Sequence, residues 1–382
     1  MNFDLSDEQL QIQRTVREFA QGQIAPVIGR HLEEDRFPTE IVRGLTGLGV
    51  MGLPYPEAYG GSGAGMLAFA LALEELARVS PSVAAIVFAH SSPATLIWLN
   101  GSEAQKQRWL VPLAHGSVLG AIGLTEPSGG SDTAALQTRA EQADGGWVLN
   151  GSKTFITNTG TPLSGVAVVA AATEPDGARD RLSSFIVPAD APGFTAGRKL
   201  HKIGWRAADT CELYFEDCRL PADALLGQRG TGQRQMLIAV TYGRICVGAM
   251  AVGLAQACFD YARQYARERT AFGRPIAEFQ GVSFKLVDLA IQIEAARLLT
   301  HRAAALCDAG RPFRAEASMA KLFGSEMAFE AARQAIQVHG AYGISREHPV
   351  SWLLGEAKVL EVVEGTSEIQ RLLLARLLGI GP

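Results

Sequence analysis

The spacing of the apolar residues changes twice along this chain. This order of spacings restricts the possible folds more than any other feature of the sequence. Up to about residue 118 the spacing is helical, as in the segment that follows Ser6 and in the apolar stretch 82–99. From about 119 to 226 short apolar runs alternate with turn residues, which is typical of strands. Four long helical segments then follow, near 233–268, 278–308, 313–339 and 352–378.

This order predicts an α+β protein, because a chain of 382 residues is too long for one core. We expect an all-α N-terminal domain (1–118), a central antiparallel β domain (119–229) and a C-terminal four-helix bundle (230–382).

Composition excludes several classes of protein. The net charge is −4 with no basic block, which argues against nucleic acid as a partner. No run approaches 18 uninterrupted apolar residues, so we expect no membrane span, and the acidic amino terminus does not resemble a secretory signal. The five cysteines contain no C-x-x-C pair and indicate reduced thiols, as in a cytoplasmic protein. The histidines, including His339 and His348, show no ligand spacing, so we expect no metal.

The segment 147–157, W-V-L-N-G-S-K-T-F-I-T, carries the strongest local strand signal. Asn150-Gly151 is a favoured two-residue hairpin turn, and it predicts a hairpin centred there. Phe155 and Thr157 lie two residues apart, so a strand would point both side chains to one face. They would then either flank a flat cofactor or form an ordinary cross-strand pair.

The stretch 360–374, L-E-V-V-E-G-T-S-E-I-Q-R-L-L-L, combines a helix start with a carboxylate in an apolar setting. Ser367 and Gln370 have the spacing of a capping box. Glu364, just upstream, should have a raised pKa because its neighbours are apolar, and a raised pKa suits a general base. The amides of residues 366–368 would suit an anion. An ordinary capped helix after a Glu-Gly turn accounts for the same pattern.

Two further segments could bind phosphate groups. The turn P-S-G-G-S within residues 121–132 offers backbone amides and hydroxyls that suit a pyrophosphate. Arg269 and Arg274 form a basic turn between two predicted helices; arginines of this kind either hold a phosphate or are simply solvated.

Five motifs in this order resemble those of the acyl-CoA dehydrogenase family over essentially the whole chain. They are A-I-G-L-T-E-P-S-G-G-S-D (121–132), F-I-T-N (155–158), R-T-A-F-G-R-P-I-A-E-F-Q (269–280), Q-V-H-G-A-Y-G (337–343) and V-E-G-T-S-E-I-Q (363–370). The resemblance implies the same three-domain fold, assembled as a homotetramer, with FAD bound non-covalently.

The resemblance also implies a set of cofactor-binding residues. Those lining the flavin and its pyrophosphate would be Leu124, Thr125, Gly130, Ser131, Phe155, Ile156 and Thr157. Those reaching the FAD of a neighbouring subunit would be Arg269, Phe272, Gln280, Gln337, Val338, His339 and Gly340. Thr366 and Glu368 would hold its phosphate and adenosine end.

The implied reaction is the α,β-dehydrogenation of an acyl-CoA thioester to the trans-2-enoyl-CoA. Glu364 matches the catalytic base that removes the α-proton, and the β-hydride goes to flavin N5. Some family members carry the base directly before the arginine matched by Arg244, where this chain has Gly243. The substrate contacts would be Ser131, Thr241, Arg244 and Gly365.

Two departures from the family pattern bear on the substrate. Thr241 stands where many relatives have an aspartate, which suits a thioester on a carrier protein as an alternative to CoA. Val363 replaces an aromatic residue before the base and leaves room for a branch. Bulky Phe88 and Trp98 suggest a short or medium chain. An electron-transfer flavoprotein is the expected electron acceptor, with oxygen as the alternative.

Overall fold

The computed structural model describes residues 4–133, 135–176 and 180–381. The N-terminal part is helical, as the periodicity predicts. Its α-helices are α1 (Asp7–Phe19), α2 (Ile28–Glu33), α3 (Thr39–Gly47), α4 (Gly65–Val79), α5 (Pro81–Asn100), α6 (Glu103–Gln105) and α7 (Val111–Ala114). Short π-helical turns (Ala20–Ile24 and Lys106–Leu110) and 3-10 turns (Val50–Gly52 and Glu57–Tyr59) connect them.

Side-chain caps determine where two of these helices begin. Ser6 and Gln9 form a capping box at the start of α1, with Asp7 and Glu8 in its first turn. At α5, Ser80 accepts a hydrogen bond from the Val83 amide, and Pro81 occupies the first helical position. The predicted starts of these helices are therefore correct to within about two residues.

The central region forms one seven-stranded sheet. Its strands are β1 (Leu119–Gly123), β2 (Arg139–Ala143), β3 (Gly146–Thr157), β4 (Ser164–Ala172), β5 (Leu182–Pro188), β6 (Phe194–Lys199) and β7 (Thr210–Pro221). The spatial order is β1-β4-β2-β3-β7-β6, with β5 paired to β4. Most pairs are antiparallel as predicted, but β1 and β2 both run parallel to β4.

The hairpin predicted at Asn150-Gly151 is wrong. β3 runs straight through both residues, and the turn lies at Asp144-Gly145, where φ is +50° and +75°, between β2 and β3. Gly151 instead takes part in a bulge against β7, with φ at +141°. The Asn150 side chain accepts from the Asp217 amide and donates to its carboxylate, so neighbouring-strand contacts override the local turn preference.

Long helices return after the sheet. They are α8 (Gly232–Glu268), α9 (Gln280–Asp308), α10 (Arg314–His339), α11 (Val350–Val362) and α12 (Ser367–Leu377). Short 3-10 turns lie at Ala222–Ala224, Ile276–Glu278 and Gly340–Ile344. Between α8 and α9, the short strands β8 (Thr270–Ala271) and β9 (Arg274–Pro275) form a hairpin. The single fourth helix predicted over 352–378 is wrong: residues 363–366 interrupt it and separate α11 from α12. This interruption contains Glu364.

Two helices, α5 and α8, are long and apolar enough to cross a membrane on those criteria alone. However, 83% of the apolar window in α5 and 78% of that in α8 are buried inside the protein. Burial of this extent is typical of core helices in a large domain.

The helices that come before the sheet in the sequence and those that come after it share one hydrophobic core. It runs from Val16 in α1 through α4, α5 and α8 to Leu360 in α11. One face of the sheet packs in a second core with the end of α5 and the start of α8, and a third core lies within the sheet around Trp147 and Phe185. The turn that interrupts the last predicted helix is therefore mounted on the largest of the three cores.

Candidate active site

The turn between α11 and α12 holds Glu364 in an uncommon backbone conformation. Val363 ends α11 in an extended conformation, and then Glu364 and Gly365 adopt φ values of +55° and +90°. A left-handed conformation costs a non-glycine residue about 1 kcal/mol. Such a cost at a glutamate is typical of a functional position.

Side chains from three helices hold this turn by its carbonyl oxygens. Lys321 Nζ on α10 donates to the Glu361 and Gly365 oxygens, at 2.9 and 2.8 Å. Gln370 Nε2 on α12 donates to the Glu364 and Gly365 oxygens, both at 2.9 Å. Arg244 Nε on α8 donates to the Glu364 oxygen at 3.3 Å. The left-handed turn is thus fixed from outside rather than by its own residues.

The Glu364 carboxyl group lies against the α8 backbone at Gly243. A Cβ atom placed on Gly243 would lie 2.5 Å from Glu364 Oε2 and 3.1 Å from Phe88 Cε2. The side chain is half-buried, and this burial raises the pKa of Glu364 to about 7, although the charges of Arg244 and Lys321 oppose the rise. A carboxyl group with this pKa can accept a proton near neutral pH.

The predicted capping box is wrong in its residues, although the helix does begin there. Thr366 is the N-cap and accepts from the Ile369 amide at 3.4 Å, while Ser367 is the first residue of α12. Gln370 donates to the carbonyl groups of the turn instead of closing the box. Ser367 Oγ is buried and has no hydrogen-bond partner in the described part of the chain.

A cleft of about 530 Å³ adjoins the base, with Tyr242 and Gly243 of α8 in its wall. Its other lining residues come from the N-terminal helices and the end of α9, and include Phe69, Ser92 and Trp98. The wall is thus more apolar than polar, with a few hydroxyl groups, the Gln9 amide and the Asp308 carboxyl group, which is typical of a pocket for a small organic substrate.

The segment 121–132 forms a tight turn supported from below by a buried ion pair. Glu126 and Gly129 exchange two backbone hydrogen bonds. Lys153 Nζ, fully buried on β3, lies 2.7 Å from Glu126 Oε1 and donates to the Leu124 oxygen at 3.3 Å. Glu126 also accepts from the amide of Thr138 at 3.0 Å. Leu124 and Thr125 are partly exposed above this support, and Gly130 and Ser131 are exposed.

The end of β3 is irregular: its pairing with β7 shifts register between Lys153 and Ile156, so the regular alternation that predicted one shared face for Phe155 and Thr157 does not hold there. Phe155 is 64% exposed with φ at +59°, Ile156 is buried, and Thr157 is partly exposed and 3.2 Å from the Thr210 hydroxyl. An exposed aromatic ring on a strained backbone, near a turn rich in glycine and serine, fits a flat cofactor that carries a diphosphate. The residues present are therefore suited to FAD.

Residues predicted to reach a neighbouring subunit fall into two groups. Most are exposed at one end of the bundle: Arg269, Phe272, Gln280, Gln337 and Gly340. Phe272 is 96% exposed at the tip of the β8–β9 hairpin. Val338 and His339 are instead buried within their own subunit, where His339 stacks on Tyr265 at 4.4 Å, so their side chains are not exposed to a ligand.

The predicted substrate contacts are unevenly placed. Gly365 belongs to the turn that carries Glu364, Arg244 donates to that turn from α8, and Ser131 lies on the exposed loop. The Thr241 hydroxyl is buried and donates to the Leu237 oxygen at 2.8 Å within α8. Thr241 thus offers no charge and little free hydrogen-bonding capacity. Thr366 is partly exposed and Glu368 is exposed at the start of α12.

Sequence analysis missed Lys321, Lys153 and Glu126. Each stands among apolar or small residues in the sequence, and Lys321 lies within a run of buried positions on α10. A charged residue at a buried helical position is the signal that would have drawn attention to it. No group of three potential metal ligands is found among the described residues.

Three family models together match nearly the whole chain. They are the acyl-CoA dehydrogenase N-terminal domain (residues 6–117), middle domain (121–218) and C-terminal domain (230–379). A probable acyl-CoA dehydrogenase of Bacillus subtilis is 43% identical over 380 residues, covering 98% of this chain and 99% of the relative.

Solved structures agree with this assignment. Butyryl-CoA dehydrogenase from Megasphaera elsdenii superposes with a TM-score of 0.97 at 38% identity, covering 99% and 100% of the two chains. A structure described as an electron transferring flavoprotein of Acidaminococcus fermentans has a TM-score of 0.97 at 38% identity, covering 99% of each. The protein PigA with FAD and proline has a TM-score of 0.95 at 29% identity, covering 100% of each. The chain belongs to the acyl-CoA dehydrogenase family of FAD-dependent oxidoreductases.

Proposed function

We propose that this protein oxidises a short acyl-CoA thioester to the trans-2-enoyl-CoA, with Glu364 as the base that removes the α-proton. The observation that carries the proposal is the placement of Glu364 beside the cleft, on a turn held by three helices and with its pKa raised to about 7. The likeness to butyryl-CoA dehydrogenase supports a short acyl chain.

The α-proton of a thioester is only weakly acidic, so the base needs both a raised pKa and a fixed position relative to that proton. Burial of Glu364 raises its pKa and so reduces the difference between this pKa and that of the substrate α-proton. The fixed turn holds the carboxyl group in one place, so that little alignment remains to be achieved on binding. FAD, when bound, would supply the redox chemistry as the acceptor of the β-hydride.

The test is an anaerobic titration of the purified protein with acyl-CoA thioesters of increasing chain length and branching. We expect the oxidised-flavin absorbance to bleach rapidly with a short acyl-CoA and more slowly as the chain lengthens. Hexadecanoyl-CoA serves as the matched control, because it has the same head group and a chain too long for a short-chain site. Absence of bleaching by every acyl-CoA would contradict the proposal.

A second candidate is an enzyme that acts on an acyl group bound to a carrier protein. The observation that favours it is Thr241, whose hydroxyl is committed to its own helix where many relatives offer a carboxylate. The structural likeness to the prolyl acyl carrier protein oxidase AnaB points the same way. A carrier-protein thioester that bleaches the flavin when the matching acyl-CoA does not would establish this candidate.

We propose an electron-transfer flavoprotein as the electron acceptor, with oxygen as the alternative. The likeness to the Acidaminococcus structure supports the first. Oxygen consumption during turnover separates the two, because a dehydrogenase that depends on a flavoprotein partner consumes little oxygen.

The five free cysteines fit a reducing compartment, and we propose a cytoplasmic location on that basis.

We propose that the protein is a homotetramer. An apolar stripe on α9 supports self-association: Phe284, Val287, Ile291 and Leu298 recur at helical spacing and are 44–63% exposed. An exposed stripe of this kind normally marks a protein interface. The exposed Phe272, on the adjoining hairpin, fits the same association.

Replacing Ile291 with glutamate is expected to dissociate the assembly, because an interface would bury the new charge without a partner. Analytical ultracentrifugation should show smaller species and a lower FAD content, since residues of the neighbouring subunit are proposed to reach the cofactor. The control is Leu10→Glu, which places the same charge at an apolar residue 39% exposed on α1. Unchanged sedimentation of the Ile291 variant would contradict the role of the stripe.

A further inference from the structure

We propose that Lys321 is a positioning residue for the reaction. It fixes the turn that carries Glu364, and its charge keeps the carboxyl group ionised and ready to accept a proton. The inference rests on the proposed function and adds to it a residue that acts through Glu364 rather than on the substrate.

Lys321 is a fully buried lysine that forms no ion pair among the described residues. Its side chain comes from α10, and its Nζ atom donates to the carbonyl oxygens of Glu361 and Gly365, one before and one after Glu364. Burial lowers the pKa of Lys321 to about 8, and the charge of Glu364 is the largest opposing influence. The cation is thus electrostatically coupled to the base without touching it in a salt bridge.

The hydrogen bonds alone do not require a charge. Gln370, also buried, donates to the carbonyl oxygens of Glu364 and Gly365 with a neutral amide, so the turn already accepts a neutral donor. Burying an unpaired cation is costly, whereas burying an amide with hydrogen bonds is much less so. A lysine at this position therefore indicates that its charge contributes something that a neutral donor would not.

The other charged groups around Glu364 leave Lys321 and Arg244 as the two cations that act on it. Arg244 comes from α8 and donates to the Ser318 hydroxyl and the Glu364 oxygen. Of the remaining ionisable groups near these residues, Glu361 pairs with Lys358, Glu326 pairs with Arg371, and burial raises the pKa of the Cys246 thiol. Arg314 is a further cation, but its charge acts on Arg244, whose pKa burial and this charge both lower.

The charge matters because burial and ionisation of the base are opposed. Burial raises the pKa of Glu364, and the two cations limit that rise. Without Lys321 the pKa should rise further, and a larger fraction of Glu364 would be protonated at neutral pH. A protonated base cannot accept the α-proton, so the rate at pH 7 should fall about tenfold for each unit of that rise.

The test compares Lys321→Met with Gln370→Leu across a range of pH. Both variants remove hydrogen bonds to the turn, but only the first removes a charge. We follow the rate of flavin bleaching in a single turnover, using the acyl-CoA that bleaches the wild-type protein. Lys321→Met should move the midpoint of the pH profile upwards by at least one unit and recover rate at high pH. Gln370→Leu should lower the rate by a similar factor at every pH.

Two further variants extend the test. Lys321→Arg should restore the wild-type midpoint because it keeps the charge. Lys321→Gln keeps donors without charge, and it should shift the midpoint as the methionine variant does; it also serves if the methionine variant fails to fold. An unchanged midpoint in the uncharged variants would overturn the proposal, whatever their rates.

A second readout does not depend on turnover. Urea unfolding of Lys321→Met, Glu364→Gln and the double variant at a pH between the pKa values of the two groups, about 7 and about 8, forms a double-mutant cycle. The two substitutions should be clearly non-additive, because each removes one partner of an attractive pair of charges. Additive effects would overturn the coupling. If no thioester bleaches the wild-type flavin but the cycle is non-additive, the proposed function fails while the coupling stands.

Discussion

Glu364→Gln should retain FAD and its yellow colour while flavin bleaching by substrate slows by about 10²–10⁴-fold, the usual contribution of a general base. Glutamine has nearly the same shape, so the turn held by Lys321 and Gln370 should persist. Its amide cannot accept the α-proton. Stopped-flow reduction measured alongside the FAD content separates loss of the base from loss of the cofactor.

The matched control is Glu356→Gln. Burial raises the pKa of Glu356 to about 7 as well, but this carboxyl group accepts from the Ser82 hydroxyl at 3.0 Å and the Trp205 amide at 2.9 Å. A raised pKa alone would make the two residues equivalent, whereas the geometry predicts that only the Glu364 variant loses flavin reduction. Normal bleaching in Glu364→Gln would place the base elsewhere.

Glu364→Gln should also be more stable than the wild-type protein at pH 8. The folded pKa of Glu364 lies near 7 and the unfolded value near 4.5, so the folded state binds more protons between these values. The contribution of Glu364 to stability therefore falls as pH rises from about 4.5 to 7 and remains unfavourable above that. Glutamine removes this cost, on the order of 1–2 kcal/mol after allowance for partial exposure. Urea unfolding at pH 5 and pH 8 measures the difference.

Lys153→Met should destabilise the protein by about 3–5 kcal/mol, because it leaves a buried carboxylate without its partner. Lys153 and Glu126 lie 2.7 Å apart with side chains 0% and 3% exposed. Burial alone would raise the pKa of Glu126, but the charge of Lys153 and hydrogen bonds from Lys153, Thr138 and Gln137 outweigh it and keep this pKa below its ordinary value. Urea unfolding and the FAD content of the purified variant measure the two expected losses.

Loss of FAD should follow from the same substitution, since Glu126 anchors the turn proposed to hold the pyrophosphate. The control is Arg333→Met, which breaks an exposed ion pair with Glu330 at 2.7 Å and should cost less than about 1 kcal/mol. Equal destabilisation by the two variants would show that burial of the Lys153 pair contributes nothing.

Sequence patterns predicted the layers of this fold better than its local turns. The helix start marked by Ser6 is a local feature, and the structure has it. The choice between Asn150-Gly151 and Asp144-Gly145 as the hairpin turn is not local, because it depends on how β3 pairs with β7. A single sequence contains the turn preference of each pair but not the pairing that selects between them.

The same limit applies to the site. Glu364 stood out because a carboxylate among apolar residues is visible in one segment. Lys321 lies 43 residues before Glu364 in the sequence. It was not predicted because its hydrogen bonds to the two carbonyl groups of the turn depend on the packing of α10 against that turn. The position of α12 was predicted, whereas its cap at Thr366 depends on the backbone angles of the turn itself.

The contact between Gly243 and Glu364 restricts how a chain with this fold can change. A side chain at 243 would begin 2.5 Å from the Glu364 carboxyl oxygen, so the two positions compete for one volume. Transfer of the base from the turn to α8 would therefore require two coordinated substitutions, one that empties position 364 and one that fills position 243. The first substitution alone would leave the site without a base, and the second alone would place a side chain against the Glu364 carboxyl group.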